Sequence, residues 1–306
     1  MLKEQILGLF SKDISAEIEK VGIDFEYLQE IRVRNGQPIG LLVNGHEIYL
    51  RIHGTLKEMK RIVDVACGYS GYAFAEEISN GYLTIAGGHR IGLTGRAVVT
   101  ERGIQTLKYI SSLNIRVAHS VDGGAEQWKR FFYKEKIPRH ILLISPPGCG
   151  KTTFLRNIIR IFSEGDKEFP GVTVGVVDER SEICGMYRGI PSFSVGTRTD
   201  ILDGCPKSYG MELLIRSMAP KVLAVDEIGI CDVPYIENAL RCGCKVVATM
   251  HGADLTDFLG KPGFKKLVDE KIFERYIFLK NDDKPGQVWK IYDQNYQKIW
   301  EMAGCI

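Results

Sequence analysis

Ile141-Leu-Leu-Ile-Ser-Pro-Pro-Gly-Cys-Gly-Lys-Thr-Thr-Phe-Leu155 decides how the rest of the chain is placed. Its four leading apolar residues, Ile141–Ile144, have the length and branching of a buried parallel strand. A turn of proline and glycine follows, and Lys151-Thr152-Thr153 then opens a helical run through Phe154, Leu155, Ile158 and Ile159. Strand, glycine loop and helix start, in that order, make a cradle in which backbone N–H groups and the helix dipole converge on one anion. The expected cradle comprises Ser145, Pro146, Pro147, Gly148, Cys149, Gly150, Lys151, Thr152 and Thr153. Lys151 would reach the β- and γ-phosphates, and the Thr152 hydroxyl would take a place on Mg2+. The pattern G-x-x-x-x-G-K-[ST] is met except at its first position, where Ser145 stands for glycine. That position asks for room rather than chemistry, and serine is small. The stretch reads as a nucleotide-binding phosphate loop.

Outward from this loop the pattern alternates between buried strand and helix. Strands are expected at Ile141–Ile144, Val172–Val177, Val222–Val225 and Val246–Thr249, with helices at Met211–Met218 and Val233–Arg241 among those between. Such alternation predicts an α/β fold built on an open, mostly parallel sheet. Near the end, Tyr276–Leu279 and Val288–Tyr292 flank the turn-rich Asp282–Gly286 and read as a hairpin. Upstream, residues 1 to 30 show short helical periodicity. Glu30–Arg34, Ile39–Val43, Tyr82–Ile85, His89–Arg96 and Leu113–Val117 read as strands around a helix at Leu56–Cys67. Val121-Asp-Gly-Gly-Ala125 reads as a hinge. The expectation is a smaller α+β domain over residues 1–122 and a phosphate-loop domain over 123–306.

Carboxylates gather at the predicted strand ends. Val222-Leu-Ala-Val-Asp-Glu227 puts Asp226 and Glu227 at the carboxyl edge of the sheet, beside the phosphate loop. Asp226 is positioned to bind Mg2+ through its water shell, and Glu227 to orient or deprotonate an attacking water. This second acid favours hydrolysis over a simple nucleotide switch. No Asn-Lys-x-Asp follows to read guanine, so ATP is the expected nucleotide. Val174-Gly-Val-Val-Asp-Glu-Arg-Ser-Glu182 places Asp178, Glu179 and Glu182 on the same edge. Crowded carboxylates are costly unless a cation or arginines share the site, so Asp178 is expected near the metal and the glutamates near the water. Thr249 and His251 end another strand and are expected to sense the γ-phosphate.

The composition narrows the function classes. With 306 residues, 44% hydrophobic and 25% charged, the chain can bury two cores, and its net charge of +2 gives no broad basic surface for nucleic acid. No apolar run is long enough to span a bilayer and no signal-peptide core opens the chain, so a cytoplasmic protein is expected. Eight scattered cysteines form no paired C-x-x-C sets, and Cys242-Gly-Cys244 alone does not make a metal knuckle.

The order of phosphate loop, Val-Asp-Glu-Arg-Ser-Glu-Ile183, Arg216-Ser-Met-Ala-Pro220, Val-Asp-Glu-Ile-Gly229 and Ala-Thr-Met-His251 resembles the secretion-type ATPases of type II and type IV systems. Within that group, Gly87–Arg96 and Ser112–Ala118 look like the stage III sporulation AA branch of endospore-forming bacteria. The resemblance covers nearly the whole chain. It implies a RecA-like core and an ATP-hydrolysing motor in a homo-oligomeric ring, usually a hexamer. Such a motor would sit peripherally at the membrane, through a membrane-embedded partner, on a channel between mother cell and forespore. It also places Asp178, Glu179 and Glu182 in an acidic box and His251 in a histidine box, with arginines of the N-terminal domain completing the nucleotide site. Arg90, Arg96 and Arg116 are the candidates for that role, with Arg198 a further one. Two alternatives stand beside the secretion motor: an ATP-dependent nucleic-acid motor, and a non-hydrolysing scaffold gated by nucleotide.

Overall fold

The computed structural model describes residues 2–70, 74–101, 103–119, 124–280 and 286–302. Val121–Gly123 of the expected hinge and 282–285 of the expected hairpin turn lie outside them, as does Cys305. The chain separates into two compact units: Met1–His119 together with Gly185–Ser192, and Ser120–Cys184 together with Phe193–Ile306.

The first unit is built on a six-stranded antiparallel sheet. Its strands lie in the order His46–His53, Pro38–Val43, Leu28–Arg34, Gly103–Arg116, His89–Thr100, Tyr82–Ile85. Side chains alternate between the faces of a strand, and one face is buried and largely apolar. Ile31, Val33, Leu41, Ile91 and Ile115 meet Ile14, Ile18, Met59 and Ile62 of helices Lys12–Lys20 and Leu56–Ala66 in one core. Thr55 caps the second helix by accepting from Glu58 N–H at 3.1 Å, and the Glu58 carboxylate accepts from Ser11 N–H at 2.7 Å. Strands His89–Thr100 and Gly103–Arg116 run well past the expected His89–Arg96 and Leu113–Val117, as a ribbon whose register shifts at Thr94/Arg96 and Val98/Val99. Val99, Ile104 and Tyr109 are exposed there. With no buried face to enforce alternation, the extension left no period-2 signal in the sequence.

His89, buried in this unit, accepts a hydrogen bond at Nδ1 from Ala118 N–H at 3.0 Å. A protonated ring cannot accept there, and burial pushes the pKa down to about 4 from an ordinary 6.5, with His119 adding to the fall. Below pH 6.5 the unfolded chain binds this proton and the folded chain does not. Stability is therefore lost as the pH falls from 6.5 to 4, by about 3 kcal/mol from this group. Urea denaturation at pH 7.5 and pH 5 checks it: the midpoint should drop at pH 5, and His89→Asn should flatten the drop.

The second unit carries an eight-stranded sheet. Thr199–Asp203, Val174–Asp178, Val222–Val225, Lys245–His251, Ile141–Ser145 and Arg275–Lys280 are parallel neighbours in that order. Gln287–Asp293 and Lys298–Glu301 close one edge antiparallel. All five residues of Ile141–Ser145, and all five of Val174–Asp178, are buried, which is why each reads as a continuous apolar run. The second strand begins two residues later than Val172. Gly196–Asp200 reads as a polar loop in the sequence, but Thr199–Asp203 forms a strand. It is an edge strand of half-buried, mixed residues and so lacks an apolar run. The helix expected from Met211 begins at Lys207, and Val233–Arg241 forms as expected.

Candidate functional site

The phosphate loop leaves strand Ile141–Ser145 and enters helix Lys151–Glu164 through two backbone conformations that favour glycine, Gly148 at φ +75° and Gly150 at φ +76°. A side chain at Gly148 would meet no neighbour within 4 Å, so conformation rather than space selects the residue there. Lys151, the first helical residue, is buried and folds back over the loop. Its Nζ lies 3.2 Å from the carbonyl oxygens of Ser145 and Pro146 and 3.0 Å from His251 Nδ1. Burial pushes its pKa down, and the charges of Asp226 and Glu227 hold it up in part.

Thr152 Oγ1 donates to Asp226 Oδ2 at 2.7 Å, so the helix start and the end of strand Val222–Val225 are joined at one point. Thr249 was expected to face the γ-phosphate. Its hydroxyl is fully buried and donates instead to Asp226 Oδ1, while accepting from Glu227 N–H at 2.8 Å. It therefore braces the two acids from the neighbouring strand. Glu227 sits at φ +47°, a backbone conformation a non-glycine residue keeps only when its surroundings impose it. Its carboxylate lies 3.0 Å from His251 Nε2 and 3.8 Å from the Arg180 guanidinium.

The acidic stretch after Val174–Asp178 divides. Asp178 is buried, and its two oxygens accept from the N–H groups of Glu182 at 2.8 Å, Ile183 at 3.2 Å and Cys184 at 2.7 Å. Burial pushes its pKa up to about 6, against these hydrogen bonds. This carboxylate braces its own loop rather than facing a metal, which departs from the sequence expectation. Glu179 pairs with Lys207, Glu182 is exposed, and both line a small open cleft with Asp226, Glu227 and Arg180. Arg156, which the sequence reading passed over, is buried and holds the same loop. It donates to the carbonyls of Ile183 and of Glu182, the latter at 2.9 Å, and stacks 3.7 Å from the Phe193 ring centroid. Its place in the helix reads as a surface charge, so only the three-dimensional structure reveals it. Arg198 donates to the Ser163 carbonyl at 2.9 Å and so secures the end of helix Lys151–Glu164.

In the first unit, Arg90, Arg116 and Glu30 are cross-strand partners, and Arg96 opposes Lys108 further along. Arg90 and Arg116 lie on the sheet face opposite Ile91 and Ile115, whereas Arg96 and Lys108 lie beyond the register shift at Thr94/Arg96. Arg90 covers the Tyr82 ring at 3.7 Å, and Arg116 lies 3.9 Å from Glu30. Of the three candidate arginines, Arg90 and Arg116 are direct cross-strand neighbours, and Arg96 lies further along the ribbon. Among the described residues no cluster of three or more metal-ligating side chains occurs, so a metal here would be held chiefly by water and phosphate oxygens, as suits Mg2+.

The fold is that of the RecA-like secretion ATPases, with an antiparallel sheet unit ahead of the α/β core. It is similar to ATPase DotB of Yersinia pseudotuberculosis, with a TM-score of 0.61 at 13% identity over 93% of this chain and 80% of that one. The pilus retraction motor PilT, solved with bound ADP, superposes with a TM-score of 0.56 at 14% identity over 87% of this chain and 76% of that one. The chain belongs to the family "Sporulation stage III, protein AA", whose model matches residues 1–299. A relative of 41% identity over 278 residues, 90% of either chain, is stage III sporulation protein AA of Bacillus subtilis.

Proposed function

We propose that this protein binds Mg2+–ATP in the Ser145–Thr153 loop and hydrolyses it, as the motor of a membrane-associated export channel in endospore formation. The observation that carries the reading is the Thr152–Asp226 hydrogen bond. It sets a hydroxyl and a carboxylate side by side at the mouth of the loop, where a nucleotide's metal belongs. Mg2+, if bound beside Thr152 and Asp226, would supply positive charge against the phosphates. The chain's own residues do the rest. The loop N–H groups and Lys151 grip the phosphates, Thr152 and Asp226 hold the metal's water shell, and Glu227 takes a proton from the attacking water. Glu179 and Glu182 hold that water's surroundings polar, and His251 reads the γ-phosphate. Arg90, Arg96 and Arg116 supply charge to the phosphates within a ring of copies, six by the family resemblance. Among the described residues no helix is long and apolar enough to cross a membrane, so attachment falls to a membrane-embedded partner. Phosphate release from ATP by the purified protein, with light scattering on the same sample, tests this. Release that stops when Mg2+ is chelated, together with a ring-sized particle, is expected. Release indifferent to Mg2+ would contradict the site.

A further inference from the structure

Lys151 has three ammonium protons and no acceptor capacity. Four acceptors surround it: the Ser145 carbonyl and Pro146 carbonyl at 3.2 Å, Ser145 Oγ at 3.4 Å and His251 Nδ1 at 3.0 Å. Since lysine can only donate, Nδ1 must accept, which puts the imidazole proton on Nε2. Nε2 then donates to Glu227 Oε1 at 3.0 Å. One imidazole therefore joins the lysine of the phosphate loop to the acid at the end of strand Val222–Val225. A buried ammonium left without partners is costly, and in this arrangement the loop carbonyls and His251 supply the partners that phosphate oxygens would otherwise provide.

We propose that His251 is a latch that holds Lys151 and Glu227 together until phosphate displaces it. The proposal rests on the nucleotide-site reading above and concerns its regulation. To grip a β-phosphate, Lys151 leaves Nδ1. His251 then loses the bond that fixes its tautomer and ring orientation, and Glu227 is released from Nε2 to meet a water. The acid is thereby freed only after the loop has been filled. The latch is held at its base by the strand end: Gly252 N–H donates to the Ser145 carbonyl at 3.2 Å, and Lys261 donates to the His251 carbonyl.

A residue that only sensed the γ-phosphate would leave ADP binding untouched, so ADP separates the two roles. With the latch removed, Lys151 no longer has to break a charge-assisted bond to reach the β-phosphate. His251→Ala should therefore bind ADP about tenfold more tightly than wild type. Glu227→Ala, which frees the other end of the imidazole, should tighten ADP binding in the same direction by a smaller factor. The measurement is calorimetric titration of the full-length protein with ADP and Mg2+. Tighter binding by both variants supports the latch. Unchanged or weaker binding in both, with wild type binding ADP normally, overturns the latch alone. Wild-type protein that binds no ADP overturns the nucleotide-site reading along with it.

Discussion

Glu227→Gln should bind ATP with near wild-type affinity and turn it over about a thousandfold more slowly. The geometry makes this a separation of binding from chemistry. Glu227 does not touch the phosphate loop; its backbone N–H is fixed by Thr249 and Asp226, and its carboxylate points to His251 and Arg180. Glutamine keeps the side-chain shape and an oxygen for His251 Nε2, so the strand end and its neighbour Asp226 stay in place. What disappears is a group able to take a proton, and positioned general bases are worth about 10²- to 10⁴-fold. Single-turnover phosphate release beside a binding isotherm checks it. Turnover retained within a few-fold would move the base elsewhere, with Glu179 and Glu182 of the same cleft the next residues to substitute.

Lys151→Ala should abolish ATP binding, with an affinity loss of about a hundredfold or more. Contacts to charged groups contribute about 1.5–3 kcal/mol each, and Lys151 is the one cation seated in the loop itself. The substitution also removes the donor that holds the Ser145 and Pro146 carbonyls inward, so the loop relaxes as well as losing its charge. Lys151→Arg should fail nearly as badly, since a planar guanidinium does not fit four acceptors arranged around a point charge. Unchanged ATP affinity in Lys151→Ala would refute the cradle.

How much of this was legible in the sequence depended on how local the chemistry is. The parallel sheet announced itself because Ile141–Ile144 and Val222–Val225 are buried and read as continuous apolar runs. The turn between strand Ile141–Ser145 and helix Lys151–Glu164 was legible because its backbone demands glycine at positions 148 and 150. Asp226 and Glu227 stood out because two acids follow directly on such a strand. Thr199–Asp203 escaped because an edge strand keeps one side in solvent. The inward turn of Asp178 escaped for a different reason: its partners are the N–H groups of its own loop, and no side-chain pattern records a backbone acceptor. Arg156 was hidden because burial of a charged helix residue depends on a loop nearly thirty positions away. The grouping of Gly185–Ser192 with the first unit leaves no trace in local composition, since it is a property of tertiary contacts alone.

The central claim is that the Ser145–Thr153 loop and Asp226–Glu227 form one hydrolytic site. It is tested most directly by ATP turnover of wild type, Lys151→Ala and Glu227→Gln, prepared side by side and assayed with Mg2+. The account predicts turnover in the wild type, neither binding nor turnover without Lys151, and binding with stalled turnover in Glu227→Gln. A wild type that binds ATP and forms a ring, yet releases no phosphate, would contradict it and make the protein a nucleotide-gated scaffold.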